Sequence, residues 1–244
     1  MLLEIDMHCH TEHSHDSATK VLGLKNKFET KGVGVAITDH ENIEGCKEML
    51  RYNPSIPVIC GIEVTTREGR DLLFYFKKFE DLKLFYEELV VPYKRKKKTN
   101  LFRMGTRIRF LELLNKASAH DCLIAFAHPF NASNGFIPYL QKNDLLHIID
   151  NIDAIEVFNG EASKKKNKKS LAFARKYKKI MIGGSDSHIL ETAGRVTTSI
   201  SVDDEHVLDS LKQNAVNVQG KTSKLGLRTK TMGNILRNKF SFSD

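Results

Sequence analysis

The chain has 244 residues, and its 38 Lys and Arg against 30 Asp and Glu give a formal net charge of +8. A chain of this length can bury a large core as one domain. Its start, Met1 to Asp6, turns polar at once, and no apolar run nears the ~20 residues that span a membrane. We therefore expect a cytoplasmic protein with no signal peptide and no membrane segment.

The cysteines indicate a reduced protein. The four of them form no Cys-x-x-Cys pair, and three lie in or beside apolar runs: Cys9, Cys46, Cys60 and Cys122. This distribution favours buried thiols over disulfides or a structural zinc site.

The first predicted element is a short strand over residues 2 to 10. Strand alternation puts Asp6, His8 and His10 on one face, so two imidazoles lie side by side at the end of the strand. Two neighbouring imidazoles can ligate a metal ion, and the Asp6 carboxylate behind them could accept a hydrogen bond from a ring N–H. The alternative is a first strand whose polar residues simply face water.

Strands and helices then alternate along the chain. We predict helices over 18–31 and 42–52, and strands over 33–38, 56–65 and 71–76. This order predicts an α/β fold with parallel strand pairing and helices outside the sheet.

The second half repeats the pattern after an interruption. We predict a helical excursion over residues 79–120, which consists of a charged helix, a basic segment around Gly105 and an amphipathic helix. This excursion either covers the mouth of a barrel or packs outside the barrel. Strands over 123–127, 152–158 and 180–183 and a helix over 163–178 follow. We predict that residues 1–244 form a single barrel domain, of which residues 196–244 are a C-terminal extension.

Chemically distinctive residues recur where these strands end. They are Thr38-Asp39-His40, Gly61-Ile62-Glu63, Ala127-His128-Pro129 and Gly184-Ser185-Asp186-Ser187-His188. A barrel of parallel strands collects its carboxyl ends at one mouth, where active sites lie. Imidazoles and carboxylates without thiolates suit zinc, manganese or iron(II).

In this order, the motifs resemble the PHP (polymerase and histidinol phosphatase) family of metal-dependent phosphoesterases. They are His-x-His-Thr, Ile-Thr-Asp-His, Gly-Ile-Glu, Ala-His-Pro, Ile-Glu-Val-x-Asn and Gly-Ser-Asp-Ser-His, and they cover Met1 to about Gly194. The resemblance implies a distorted TIM-like (β/α)7 barrel with the motifs at one rim.

The resemblance also implies two or three divalent ions. The first would take His8, His10 and Asp186; the second Glu63, as a bridge, and His128; the third His40, His188 and either Asp16 or His15. We prefer Asp16. An extra ligand to the second ion would have to be Glu156 or Asn159, although we expect Glu156, with Asp6 and Asp39, mainly to orient ligand rings.

From this ligand set we predict hydrolysis of a phosphate ester, with catalytic roles for Glu63, His128, Asp39 and His188. Arg195, Arg103 and Arg107 could clamp a phosphate, or lie on the surface. The first substrate class is a small phosphorylated metabolite or nucleotide. The alternatives are a nuclease, suggested by the lysine runs 94–98 and 164–169, and a metal-stabilised module that binds RNA or protein.

Overall fold

In the computed structural model, the residues described are 1–95, 105–202, 206–213 and 217–222. They form one mixed sheet of nine strands with helices packed around it. The strands are β1 (Leu2–Cys9), β2 (Gly34–Ile37), β3 (Val58–Thr65), β4 (Asp71–Phe76), β5 (Cys122–Phe126), β6 (Ala154–Asn159), β7 (Ile180–Gly184), β8 (Val196–Ser201) and β9 (Asn217–Gly220).

Seven α-helices lie within the described ranges. They are α1 (Val21–Lys31), α2 (Glu44–Arg51), α3 (Phe79–Phe85), α4 (Phe110–Ala117), α5 (Phe136–Lys142), α6 (Lys164–Lys176) and α7 (Val207–Gln213). None of these helices is long and apolar enough to cross a membrane. The sequence analysis predicted no helix at α5.

The sheet curls into a nearly closed barrel. Its strand order is β7-β6-β5-β4-β3-β2-β1-β8-β9. At the mouth β7 returns to β1, where the Asp186 N–H donates to His8 O at 2.8 Å and the His10 N–H donates to Ser187 O at 3.0 Å. The predicted α/β barrel is therefore confirmed, and the contact between its first and last core strands assembles its rim.

The strand directions differ from the all-parallel prediction at β4, which is antiparallel to both β3 and β5. Only the turn 66–70 joins β3 to β4, and in that turn the Thr66 N–H donates to Arg70 O and Gly69 has a φ of 70°. Parallel neighbours need a crossover of about a dozen residues or more, so this short connection forces a hairpin. As a consequence, β4 begins, rather than ends, at the mouth of the barrel.

Two apolar layers hold the barrel. One lies inside it and includes Ile5, Met7, Ile59, Leu73, Tyr75 and Ile182; the other lies between the strands and the outer helices and includes Val35, Ile37, Ile62, Phe74, Leu24 and Phe28. Alternation along each strand separates the two layers. In β1 the register against β2 shifts between Asp6 and Cys9, so simple alternation is interrupted just before the His8–His10 pair.

The excursion over 79–120 comes back to the mouth side of the barrel. Thr106 donates from its N–H and its hydroxyl to Thr65 O, and the Arg67 N–H donates to Ile108 O. The predicted charged helix of the excursion is shorter than expected, since α3 ends at Phe85 and a π-helical turn and a 3-10 turn carry the chain through Pro92.

The predicted C-terminal extension begins inside the sheet. Residues 196–201 form β8, which pairs antiparallel with β1 in the register Leu2 to Ser201. The boundary at 196 therefore does not separate the extension from the barrel.

Candidate metal centre

The predicted ligands converge at the carboxyl-end rim. His8 and His10 come from the end of β1, Glu63 from β3, and His40 from the segment after β2, where it pairs with Glu63 in an isolated bridge. Asp16 lies in the loop between β1 and α1, His128 follows β5, and Asp186 and His188 follow β7. Strands far apart in sequence thus deliver one cluster of imidazoles and carboxylates.

Glu63 occupies the middle of this cluster. Its Oε2 lies 3.1 Å from His8 Nε2 and 3.3 Å from the Nε2 atoms of both His10 and His40. Its Oε1 lies 3.2 Å from His128 Nε2. One buried carboxylate therefore contacts four rings with its two oxygens, which is the arrangement expected of a bridging ligand.

The ligand atoms divide into three overlapping groups, each with all atoms within 4.8 Å of one another: His8, His10, Glu63; Glu63, Asp71, His128; and His10, Asp16, His40, His188. Asp186 Oδ1 adds to the first group at 3.5 Å from His8 Nε2 and 3.3 Å from His10 Nε2. The grouping parallels the three ions that the resemblance implies, with His10 shared between two groups.

Of the two alternatives for the third group, Asp16 lies within the group and His15 beside it. Asp16 Oδ2 is 3.0 Å from His188 Nε2 and 3.4 Å from His40 Nε2. The His15 ring packs against His40 at 5.0 Å between centroids. Burial lowers the pKa of His15 to about 4, which keeps this imidazole neutral at neutral pH.

Asp71 belongs to the second group, and the sequence prediction missed it. Its Oδ2 lies 3.8 Å from His128 Nε2 and accepts a hydrogen bond from Asn134 Nδ2 at 2.6 Å. An all-parallel barrel would put the first residue of a strand at the opposite end from the site. The five-residue connection between the two strands was the signal that could have placed Asp71 at the mouth.

Glu156 orients ligands as predicted. Its Oε1 accepts from His8 Nδ1 at 3.1 Å, and its Oε2 accepts from the His128 N–H at 2.6 Å and from Asn159 Nδ2 at 3.0 Å. Asn159 Nδ2 also donates to Asp186 Oδ2 at 3.0 Å. Neither residue joins the second group, for which they were the candidates.

Asp39 and Asp6 act elsewhere. Asp39 accepts from the N–H and the hydroxyl of Thr11, both at 2.6 Å, and so fixes the turn after β1 rather than a ligand ring. Asp6 accepts backbone N–H groups of Ser185, Gly194 and His8. Both carboxylates tie loops of the rim together, and neither contacts a ligand imidazole.

The backbone at the rim is strained where it presents ligands. His128 has a φ of 28° and Asp186 a φ of 52°, a region that residues with a side chain rarely adopt. A Cβ on Gly184 would overlap the backbone and Cβ of His8, so glycine is required for β7 to approach β1 this closely. Strain of this kind is maintained by surrounding structure and concentrates at functional sites.

Mutual attraction between the buried charges shifts their ionisation. Burial alone would raise the pKa of Glu63 and Asp16, but neighbouring imidazoles outweigh it and hold both well below their usual values. Burial likewise opposes the charged imidazole, yet carboxylates raise the pKa of His8 and His40 well above 6.5 and that of His128 and His188 to about 9. Without cations, protons would have to neutralise this cluster.

Two of the predicted phosphate clamps lie among the described residues. Arg195 Nε donates to Glu191 O, and the Arg107 side chain is exposed in the returning part of the excursion. Arg103 and residues 96–98 of the first lysine run lie outside the described residues. A phosphate clamp by Arg195, Arg107 or Arg103 therefore stays a prediction.

Comparison with known sequences gives a partial match. The family whose description is "PHP-associated" matches residues 164–216, which contain α6, β7 and β8. A comparison with curated proteins finds no match.

Comparison with solved structures covers nearly the whole chain. Endonuclease Q in complex with a 27-mer duplex that carries an abasic lesion shares 18% identity over 98% of this chain and 72% of its own, with a TM-score of 0.68. PsfC from Pseudomonas syringae shares 15% identity over 97% and 98%, with a TM-score of 0.66. A two-domain Bacteroides vulgatus protein with a predicted PHP-like metal-dependent phosphoesterase shares 13% identity over 99% and 70%, with a TM-score of 0.63.

Proposed function

We propose that this chain is a PHP-type metal-dependent phosphoesterase, which is supported by the match of residues 164–216 to the PHP-associated family and by the fold shared with a predicted PHP-like phosphoesterase. The observation that carries the proposal is the position of Glu63, whose two oxygens lie within 3.3 Å of four ring nitrogens. A lone buried carboxylate among imidazoles has an alternative explanation as a structural ion pair. A carboxylate that links three groups of ligand atoms supports a multinuclear metal site.

The donor set fits divalent ions. Asp71 Oδ1 is buried without a hydrogen-bond partner among the described residues, as expected of an oxygen that faces a cation. His8, His10, Glu63 and Asp186 would hold one ion; Glu63, Asp71 and His128 a second; His10 or His40 with Asp16 and His188 a third. Ions bound there supply Lewis acidity toward a phosphoryl oxygen and lower the pKa of water to near neutrality.

The protein's own residues set the direction of approach. The side chains of His8, His10, Glu63 and Glu156 are at most 1% exposed, whereas those of Asp16, His40, His188 and Asp186 are 10–12% exposed. The substrate would therefore reach the site from the side on which the third group and Asp186 lie. Glu156 would keep the His8 ring in place, because it accepts the ring's other N–H.

For the substrate, a small phosphorylated metabolite or nucleotide requires only this centre and one phosphate contact. A nuclease is the second candidate, and it is supported by the fold shared with endonuclease Q, whose own structure contains a DNA duplex. The binding module is the weakest candidate, since a scaffold has no use for so complete a set of ligand atoms.

A substrate screen tests the proposal. The protein would be loaded with zinc, manganese or iron(II) and offered p-nitrophenyl phosphate, bis(p-nitrophenyl) phosphate, mononucleotides and a short oligonucleotide. We expect hydrolysis of at least one of them, abolished by a chelator and restored by metal. Equal hydrolysis with and without chelator would refute a metal-dependent phosphoesterase.

A further inference from the structure

Helix α6 carries an unusual concentration of positive charge. Its sequence Lys164–Lys176 contains no acidic residue. Six exposed cations form what we call the basic face: Lys164, Lys165, Lys168, Lys169, Arg175 and Lys176. Among the described residues, no carboxylate lies within 4.0 Å of any of their charged groups, so these cations have no ion-pair partner there.

This arrangement costs the free fold stability. Lys164 and Lys168, and likewise Lys165 and Lys169, are spaced i, i+4, where like charges repel by about 0.2–0.5 kcal/mol per pair. Lys164 and Lys165 also lie in the first turn, where the helix dipole disfavours cations. Lys169 and Lys176 lie over the rings of Phe130 and Tyr177, but no carboxylate among the described residues neutralises the basic face, which is therefore suited to a polyanion from outside.

The basic face borders the metal centre. Asn167, on the inner side of the first helical turn, exchanges two hydrogen bonds with the Asn159 backbone, and the Asn159 side chain contacts Asp186. On the other flank, Lys166 Nζ donates at 2.9 Å to Asn131 Oδ1, in the loop that follows His128. Two short contact chains thus fix the start of the basic face beside the ligands of the site.

The size of the basic face discriminates between substrate classes. Its helix has 13 residues and is about 20 Å long at about 1.5 Å per residue. Along one nucleic-acid strand, where phosphates follow at about 3.4 Å of axial rise, that length corresponds to about six nucleotides. A small metabolite held at the metal centre is too short to contact cations along this length.

We propose that the basic face binds the phosphate backbone of a nucleic-acid strand and leads it to the metal centre. This inference rests on the proposed phosphoesterase function and favours, of its two candidate substrate classes, the phosphodiester polymer over the small phosphorylated metabolite. The lysines would act by charge and without reading sequence, because ammonium groups on exposed side chains contact phosphates as point charges.

The test compares two quadruple variants with the unmodified protein, all loaded with metal. The first variant carries Lys164→Gln, Lys165→Gln, Lys168→Gln and Lys169→Gln. The control carries Lys25→Gln, Lys47→Gln, Lys83→Gln and Lys116→Gln; each of these lysines pairs with a carboxylate three or four residues away along the chain. Both variants lose the same net charge, so only the position of the loss differs.

Binding of a fluorescein-labelled single-stranded 20-nucleotide DNA is measured by anisotropy between 50 and 200 mM salt. We expect a steep salt dependence whose slope falls by about 3 in the basic-face variant, at about 0.7 per lost phosphate contact, and by less than 1 in the control. Equal slopes in the two variants, or an unmodified protein that does not bind this DNA at 50 mM salt, would overturn the inference.

Hydrolysis of bis(p-nitrophenyl) phosphate by the same samples separates the two claims. We expect the basic-face variant to hydrolyse this small ester within two-fold of the unmodified protein. If none of the samples hydrolyses it, or any other phosphate ester of the screen, the phosphoesterase function fails, while the salt slopes still decide whether the basic face binds the strand.

Discussion

The metal centre and the basic face of α6 adjoin each other, yet they handle charge in opposite ways. In the centre, buried charges lie next to opposite charges, such as Asp16 Oδ2 at 3.0 Å from His188 Nε2. On the basic face, exposed lysines lie next to other lysines. This difference agrees with the two proposals, that cations from solution bind in the centre and that an anionic strand binds on the basic face.

The largest expected effect on hydrolysis follows from removing the negative charge of Glu63, which links the groups of ligand atoms in the centre. Glu63→Gln keeps the shape but removes the negative charge between four rings. Loss of even an outer partner of a metal ligand costs about 10–100-fold, so we expect hydrolysis to fall by more than about 100-fold. The measurement is kcat/KM with metal content determined by elemental analysis on the same sample.

Glu41→Gln is the matched control for that change. Glu41 is buried nearby, its Oε1 accepts the Thr65 N–H, and burial raises its pKa to about 7. A neutral amide there should leave metal content unchanged. Similar metal loss in the two variants would show that Glu63 acts through general stability rather than as a bridge.

Replacing a ligand that belongs to only one group of the centre should have a smaller effect on hydrolysis. Asp71→Asn removes charge only from the second group and Asp16→Asn only from the third. We expect each variant to lose about one metal equivalent and about 10–100-fold in kcat/KM. Loss of all metal from Asp71→Asn would contradict three separable groups.

The stability of the metal-free protein should depend on pH because protons then neutralise the centre. His128 and His188 have a folded-state pKa of about 9, above the unfolded value of about 6.5, so their contribution is present below pH 6.5 and lost as pH rises through 9. Asp16 and Asp186 have a lowered pKa, and their contribution is lost in acid below about pH 4.

Metal-free protein should therefore be most stable between about pH 4 and 6.5 and lose on the order of 3 kcal/mol per imidazole by pH 9. Bound cations would replace those protons, so metal-loaded protein should lose much less. Urea unfolding at pH 6 and pH 9, with and without chelator, measures both. An identical loss with metal bound would mean that these residues do not ligate it.

The smallest effect concerns the basic face. Replacing Lys164, Lys165, Lys168 and Lys169 by Gln relieves two like-charge pairs and an unfavourable dipole interaction, so unfolding free energy should rise by a few tenths to about 1 kcal/mol. A fall in stability, measured by urea unfolding, would mean that these lysines serve the fold and not a ligand.

The sequence was sufficient to predict the barrel and most of the converging residues. Strand ends that carry His40, Glu63, His128 and Asp186 meet at one rim because the carboxyl ends of parallel strands do so. The positions of these residues at the ends of predicted strands thus predicted that they would cluster in the folded protein.

What escaped prediction depended on strand direction and backbone detail. Asp71 was missed because β4 runs antiparallel, and Asp6 and Asp39 were assigned to ligand rings although they hold loops. The positive φ angles of His128 and Asp186 arise from how the strands meet at the rim, which no local pattern encodes. Which of Asp16 and His15 enters the third group likewise depended on packing.

The central claim is that this rim holds ions and uses them to hydrolyse a phosphate ester. Stepwise titration of metal-free protein with manganese or zinc, with bound metal and hydrolysis of bis(p-nitrophenyl) phosphate followed in the same samples, tests it most directly. We predict two or three equivalents bound per chain, with hydrolysis appearing as the groups that share Glu63 fill. Less than one equivalent bound, or full hydrolysis before any metal is added, would contradict it.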